Sequence, residues 1–140
     1  MLFRSDLGCP TGWFASEVLC YYIVRTTSTG VNDAGQNCHS IGADLQVINS
    51  AEENTFVGNL LKAQDLKQAW ISLRRNVTDS KFYWVNGTPI EGNYGSWKSG
   101  EPNNKRGEEN CVHASAKGWN DISCESHGAV VLCQKAMLDS

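Results

Sequence analysis

An α+β domain is what the residue pattern predicts, and three observations carry it. Two amphipathic helical stretches lie early in the chain, short runs of strand-type residues recur after them, and residues 90–110 break the pattern with Gly, Asn, Ser, Pro and charge. A structureless loop of that length inside a small domain is more often functional than accidental. With 140 residues the chain is long enough to bury one core and too short for two.

The elements follow in order. Residues 21–24 read as a strand. Val31, Ala34, Cys38 and Ile41 recur at helical spacing, and Gly42 stands where a left-handed C-terminal cap belongs. Residues 44–49 carry Leu45 and Val47 in strand alternation. Ser50 with Glu53 forms an S-x-x-E capping box, which starts a second helix whose apolar face is Phe56, Val57, Leu60 and Leu61. Further strands are predicted at 69–73 and 82–85, the latter running into the turn signal Asn86-Gly87, and at 111–116, 119–124 and 129–134.

Composition excludes several functions. Fifteen acidic residues against 12 basic ones give a net charge of -3, so there is no basic field for nucleic acid or anionic lipid. The longest apolar run, residues 18–24, is far short of the ~20 residues a membrane helix needs, and no membrane insertion is expected. The first eight residues carry no long apolar segment of the kind a signal peptide has. Residues 1–8 are therefore read as a tail whose Met1 marks an expression start, 9–136 as the domain and 137–140 as a second tail.

Cys9, Cys20, Cys38, Cys111, Cys124 and Cys133 are an even set without a CxxC pair. That usage reads as three disulfides in an oxidising compartment, hence a secreted, extracellular protein. Six cysteines allow fifteen pairings, and spacing does not choose among them.

The chemistry sits in GEPNNK from Gly100, EENC from Glu108 and WND from Trp119. These words gather Glu101, Asn103, Glu109, Asn120 and Asp121, three carboxylates and two amides. An all-oxygen set of this kind suits calcium, which takes 6 to 8 oxygen ligands in a flexible shell. Zinc would call for imidazole or thiolate, and magnesium for a tighter octahedron. A shell only partly filled by protein leaves positions for adjacent hydroxyls of a sugar.

Several words of the sequence resemble the C-type lectin-like domain, and the resemblance spans nearly the whole chain. They are Cys9-Pro10-Thr11-Gly12-Trp13, the helix with Cys38, Gly42-Ala43-Asp44-Leu45, Trp70-Ile71-Ser72-Leu73, Trp97 ahead of the EPN, then Cys111, WND, Cys124 and Leu132-Cys133-Gln134-Lys135. The resemblance implies the long form of that fold, with two helices on short antiparallel sheets and disulfides Cys9–Cys20, Cys38–Cys133 and Cys111–Cys124. It also implies that Glu101, Asn103, Glu109, Asn120 and Asp121 bind both calcium and sugar, Asp121 through side chain and backbone carbonyl.

In that family EPN goes with mannose-type selection, covering mannose, N-acetylglucosamine, glucose and fucose, and the bond before Pro102 is cis when calcium is bound. Carboxylate and amide pairs, Glu101 with Asn103 and Glu109 with Asn120, would let each hydroxyl coordinate the ion, donate to a carboxylate and accept from an amide. The chain departs from relatives that hold an auxiliary calcium. Arg75, Asn104 and Asn110 stand where they have acidic residues, leaving Asp79 and the shared Glu109, so that second site is expected to be absent or weak. Ser72 replaces a common glycine and, if buried, needs a hydrogen-bond partner.

Other residues weigh less. Lys105 and His113 are candidates for secondary sugar contacts, Lys105 reading first as a solvated loop residue, while His39 and His127 share no metal spacing. The five tryptophans, interleaved with strand patterns, read mainly as core. Asn76-Val77-Thr78 and Asn86-Gly87-Thr88 are N-glycosylation sequons, the second weakened by Pro89.

The function expected is a secreted calcium-dependent lectin for mannose-type glycans on cell or microbial surfaces, a role in innate immunity. The alternative is a lectin-like protein-binding domain that keeps calcium only for structure. An enzyme using Glu101, Glu108, Glu109 and Asp121 as a glycosidase pair is rejected, because carboxylates committed to calcium stay ionised and cannot act as general acid. One shallow site binds a monosaccharide at about millimolar strength, so a noncovalent homodimer or oligomer is expected to supply avidity.

Overall fold

The computed structural model describes residues 8–25, 30–104, 107–126 and 128–137. Lys105, His127 and most of both tails, on which some of the expectations above fall, lie outside the described residues. The order is β1 (Phe14–Ala15), β2 (Leu19–Val24), α1 (Val31–His39), β3 (Asp44–Leu45), α2 (Ala51–Ala63), β4 (Ala69–Arg75), β5 (Phe82–Trp84), β6 (Cys111–Ser115), β7 (Gly118–Ile122) and β8 (Val130–Ala136). The α+β expectation holds, with both helices in the first half.

The strands form one sheet in the order β1-β2-β8-β4-β6-β7, with β3 on β8 and β5 on β4. Pairing is antiparallel throughout except where β4 runs parallel to β8, at Ala69↔Val130 and Trp70↔Val131. β4 is buried on both faces. Ile71 and Leu73 join α2's Phe56, Val57, Leu60 and Leu61 in one core cluster, while Trp70 meets α1's Val31, Ala34 and Cys38 in the other. Alternation along a strand is what sends neighbouring residues to opposite layers.

The helices start as their residues dictate. Ser50 Oγ accepts the Glu53 amide at 3.1 Å, and Glu53 Oε1 reaches back to the Asn49 amide at 2.7 Å, one residue earlier than a capping box normally reaches. α1 stops at His39, so Ile41 lies past its end and is exposed, and Gly42 takes φ +74° in the turn that follows. The strand expected over 44–49 pairs as β3 only at Asp44 and Leu45. Beyond it, Val47 and Ile48 turn into the core against α2, because burying two apolar side chains in succession needs a break from alternation. Ser72 is buried and its hydroxyl meets no protein partner among the described residues.

All three disulfides pair as the resemblance implies, Cys9–Cys20, Cys38–Cys133 and Cys111–Cys124. Cys38–Cys133 ties α1 to β8. Cys111–Cys124 closes the start of β6 onto the segment after β7.

The long loop is anchored by aromatic rings and by close backbone approach. Trp119 on β7 is fully buried, donates its indole N–H to Asn54 Oδ1 at 3.0 Å, and receives Trp84, Tyr94 and Trp97 edge-on. Residues 96–98 lie against it through Trp119 N–H to Ser96 O (2.8 Å) and Lys98 N–H to Trp119 O (2.9 Å). Trp13, Trp70 and Trp84 are also buried, as the core reading of the tryptophans requires.

Gly118 makes this contact sterically feasible. Its φ is +126°, and a Cβ there would stand 2.8 Å from the Lys98 backbone nitrogen. Gly118→Ala is therefore expected to destabilise the domain by about 1 to 3 kcal/mol, through backbone strain and displacement of the loop. Urea unfolding of the variant beside the parent measures it, and equal midpoints with equal slopes would contradict the assignment.

Candidate functional site

Two adjacent residues of β7 begin the site. Asp121 points inward and is fully buried, while Asn120 is half-buried at the loop. A buried carboxylate needs donors, and Asp121 has three. Oδ1 accepts the Asn103 amide at 3.0 Å. Oδ2 accepts the Asn104 amide at 2.7 Å and Arg75 Nη2 at 2.7 Å. Asn104 reaches this position in the left-handed region at φ +45°, which Asn tolerates better than most residues.

Arg75 comes from the end of β4, with its guanidinium 4.4 Å over the ring of Phe82. The same Nη2 donates to the Glu109 carbonyl at 3.3 Å, and the Arg75 amide donates to the Asn110 carbonyl at 2.9 Å. Its side chain is 11% exposed and that of Asp121 0%. Removing one partner of so buried a pair costs about 3 to 5 kcal/mol, since the other charge is left without compensation.

The outer half of the site centres on Glu101. With the Asn120 side-chain amide turned so that its nitrogen, not its oxygen, faces the carboxylate, that nitrogen stands 2.8 Å from Glu101 Oε2 and 3.0 Å from Oε1. The Glu101 carboxyl is held above the usual carboxylate range, first by burial, then by its hydrogen bonding to Asp121 and the charge of Asp121, with Glu109 adding repulsion and the Asn103 amide opposing. Carboxylates that repel one another in this way define a place where a cation lowers the energy. The Glu101–Pro102 peptide bond is cis.

The structure thus brings together all five residues singled out in the sequence. Among the described residues no three His, Cys, Asp or Glu side chains make a metal-holding group on their own. The set differs in kind, mixing carboxylate with amide and backbone oxygens, which is calcium's usual chemistry. Asp121 Oδ1 accepts the Asn103 amide and has a second lone pair for an ion. The residues fit a calcium ion on that chemistry.

Other candidates are placed elsewhere. His113 is 4% exposed, on β6 with its ring 4.2 Å from that of Trp70, so it packs in the core and does not reach a sugar at the surface. Alternation along β6 turns it inward. Asp79 spends its carboxylate on the Tyr83 hydroxyl at 2.6 Å and the Lys81 amide at 2.9 Å. Asn76 and Asn86 lie in exposed turns, each accepting the amide two residues on, from Thr78 at 2.8 Å and Thr88 at 3.0 Å. Glu108 is exposed.

Arg75 and Asn104 are the site residues that the sequence reading left without a role. For Arg75 the signal was present: it follows Ile71 and Leu73 at strand spacing, an arginine on a core-facing register that calls for a buried acid.

The chain matches the family profile described as Lectin C-type domain over residues 27–135, and it belongs to that family. It is 36% identical over 117 residues to C-type lectin domain family 4 member M of Hylobates lar, covering 83% of this chain and 29% of that protein. It is also 36% identical over 122 residues to CD209 antigen-like protein A of Mus musculus, covering 86% and 50%. The chain thus spans about half the length of these curated relatives or less. Among solved structures, the cow C-type carbohydrate-recognition domain of CD23, determined in the presence of GlcNAc2Man3 oligosaccharide, superposes with TM-score 0.80 at 30% identity over 94% of this chain and 98% of that one. The family is one of lectin domains and not of enzymes, and the cow CD23 structure is a carbohydrate-recognition domain.

Burial pushes His113 down to about 4 from an ordinary 6.5. A histidine held neutral by the fold contributes stability that is present above its unfolded pKa and lost as pH falls from 6.5 towards 4. In EDTA, lowering pH from 7 to 5 is expected to cost on the order of 2 kcal/mol through this group. His113→Phe, which keeps a ring against Trp70, should show a flatter dependence in urea titrations, and an unchanged slope would refute the assignment.

Proposed function

We propose that this domain is a calcium-dependent lectin that takes mannose-type glycans, with mannose, N-acetylglucosamine and fucose as the sugar class. The observation that carries the reading is the contact of Glu101 with Asn120 beside Asp121 and Glu109, an acid and amide pair within a cluster of oxygen-bearing side chains. Glu101, Asn103, Glu109, Asn120 and Asp121 would hold the ion. Calcium, when bound, supplies coordination positions for two neighbouring sugar hydroxyls. The protein's part is orientation: carboxylates accept from those hydroxyls and amides donate to them, which distinguishes one hydroxyl pair from another.

The EPN word of residues 101–103 supports the mannose-type class, as does the oligosaccharide named with the cow CD23 domain. Three disulfides support an oxidising, extracellular setting, and with it a secreted protein that meets glycans on cell or microbial surfaces. A noncovalent dimer or larger oligomer would raise the avidity of single sites of about millimolar strength.

A glycan array run with calcium and again with EDTA tests the reading. Mannose-type ligands should be retained with calcium and released by EDTA, and an array silent in calcium would remove the proposal. Asn120→Asp and Asp121→Ala should both abolish calcium and mannan binding while the disulfides remain formed. If either variant still binds mannan in calcium, the ligand set is wrong.

The double exchange Glu101→Gln with Asn103→Asp reverses acceptor and donor around one hydroxyl pair. Mannose binding should fall by about 10-fold, near 1.4 kcal/mol, with some galactose binding gained. Competition assays against immobilised mannan read both, and stronger mannose binding by the double variant would contradict the argument.

A further inference from the structure

The geometry points to Arg75 as a built-in cation, and we infer that its guanidinium holds residues 101–104 against residues 107–110 of the loop when no metal ion is bound. Four residues make a ring that joins the outgoing and returning limbs of this loop. Arg75 Nη2 donates to Asp121 Oδ2, and the same oxygen accepts the Asn104 amide. Asn104 Oδ1 then accepts the Glu109 amide at 3.1 Å, and the Glu109 carbonyl returns to Arg75 Nη2 at 3.3 Å. Two of the four, Asp121 and Glu109, belong to the proposed ligand set.

Three features fit Arg75 for this task. It ends β4, where it pairs with Phe82 of β5 and its amide donates to the Asn110 carbonyl, so its backbone is fixed on both sides. Its stem and guanidinium lie over Phe82, which limits the orientations open to it. Its charge is part of the chain, so a chelator cannot remove it.

The consequence is a division of labour between two positive charges. Asp121 and Glu109 both repel Glu101, and that repulsion favours opening of the loop. Arg75 answers it from the inner side, at Asp121 and the Glu109 carbonyl. A single calcium ion on the outer side then meets an assembled set of oxygens. Chelation would release bound sugar without unfolding the loop. The inference takes the loop's purpose from the reading above, but its test uses no glycan, so each can fail without the other.

The test is amide hydrogen exchange in EDTA on the parent, Arg75→Met and Arg75→Lys. Met keeps the stem's packing and removes the charge. Lys keeps the charge, and its single nitrogen can serve the two acceptors that Nη2 serves. In Arg75→Met the Asn104 and Glu109 amides should exchange at least about 10-fold faster than in the parent, with the amides of β6 and β7 unchanged. Arg75→Lys should restore most of that protection, which a purely steric role would not do. Equal protection of Asn104 and Glu109 in Arg75→Met and the parent would overturn the inference. Should Arg75→Met lose its strand protection as well, Arg75→Lys decides: loop amides protected as in the parent support the charge lock, and unprotected ones refute it.

Discussion

The loop depends on one buried carboxylate. Asp121 has no solvent to share its charge with, and the fold surrounds it with two backbone amides from residues 103 and 104 and with Arg75. Each of those donors lies on a different part of the molecule from β7, so satisfying Asp121 fixes the positions of β4 and of the loop's outgoing limb at the same time. The cost of leaving such a charge unpaired makes the arrangement close to all-or-none.

Around this polar centre the apolar structure supplies rigidity. Trp119 stands two residues before Asp121 and carries three aromatic neighbours, two of them, Tyr94 and Trp97, from the loop itself. The strand that presents Asn120 and Asp121 is therefore held by ring packing on one side, while Cys111–Cys124 holds its far end. Ligand oxygens need placement to within a fraction of an ångström, and a loop without helix or strand of its own gains that only from such anchors.

Under the proposed function, the electrostatics would suit an exchangeable ion. Arg75 neutralises the inner face of the cluster, while Glu101, at the half-buried rim, keeps a carboxyl raised first by burial and then by Asp121 and Glu109. A fully compensated cluster would have no use for calcium, and an uncompensated one would not fold well without it. The chain belongs to the Lectin C-type domain family, and under the proposed function the arrangement at 101, 103, 109, 120 and 121 is where glycan binding would be expressed.

Much of this was legible in the residues. The spacing of Val31, Ala34 and Cys38, the cap at Ser50, the apolar face of α2 and the turn at Asn86-Gly87 are local signals, and local hydrogen bonding and periodicity realise them directly. The donor set was legible too, because five oxygen-bearing side chains in three short words declare their chemistry whatever the fold. What required the tertiary structure was everything set by long-range proximity. His113 looked available beside the loop, yet strand alternation turned it onto Trp70. β3 ended early because Val47 and Ile48 were drawn into the core together. Arg75 reads in sequence as a missing acid, and only the approach of β4 to β7, across 46 residues of chain, made it the partner of Asp121. Residue types decide which interactions are available, but a buried charge chooses its partner from whatever the folded sheet brings within about 3 Å, and that choice is written in no local stretch of the chain.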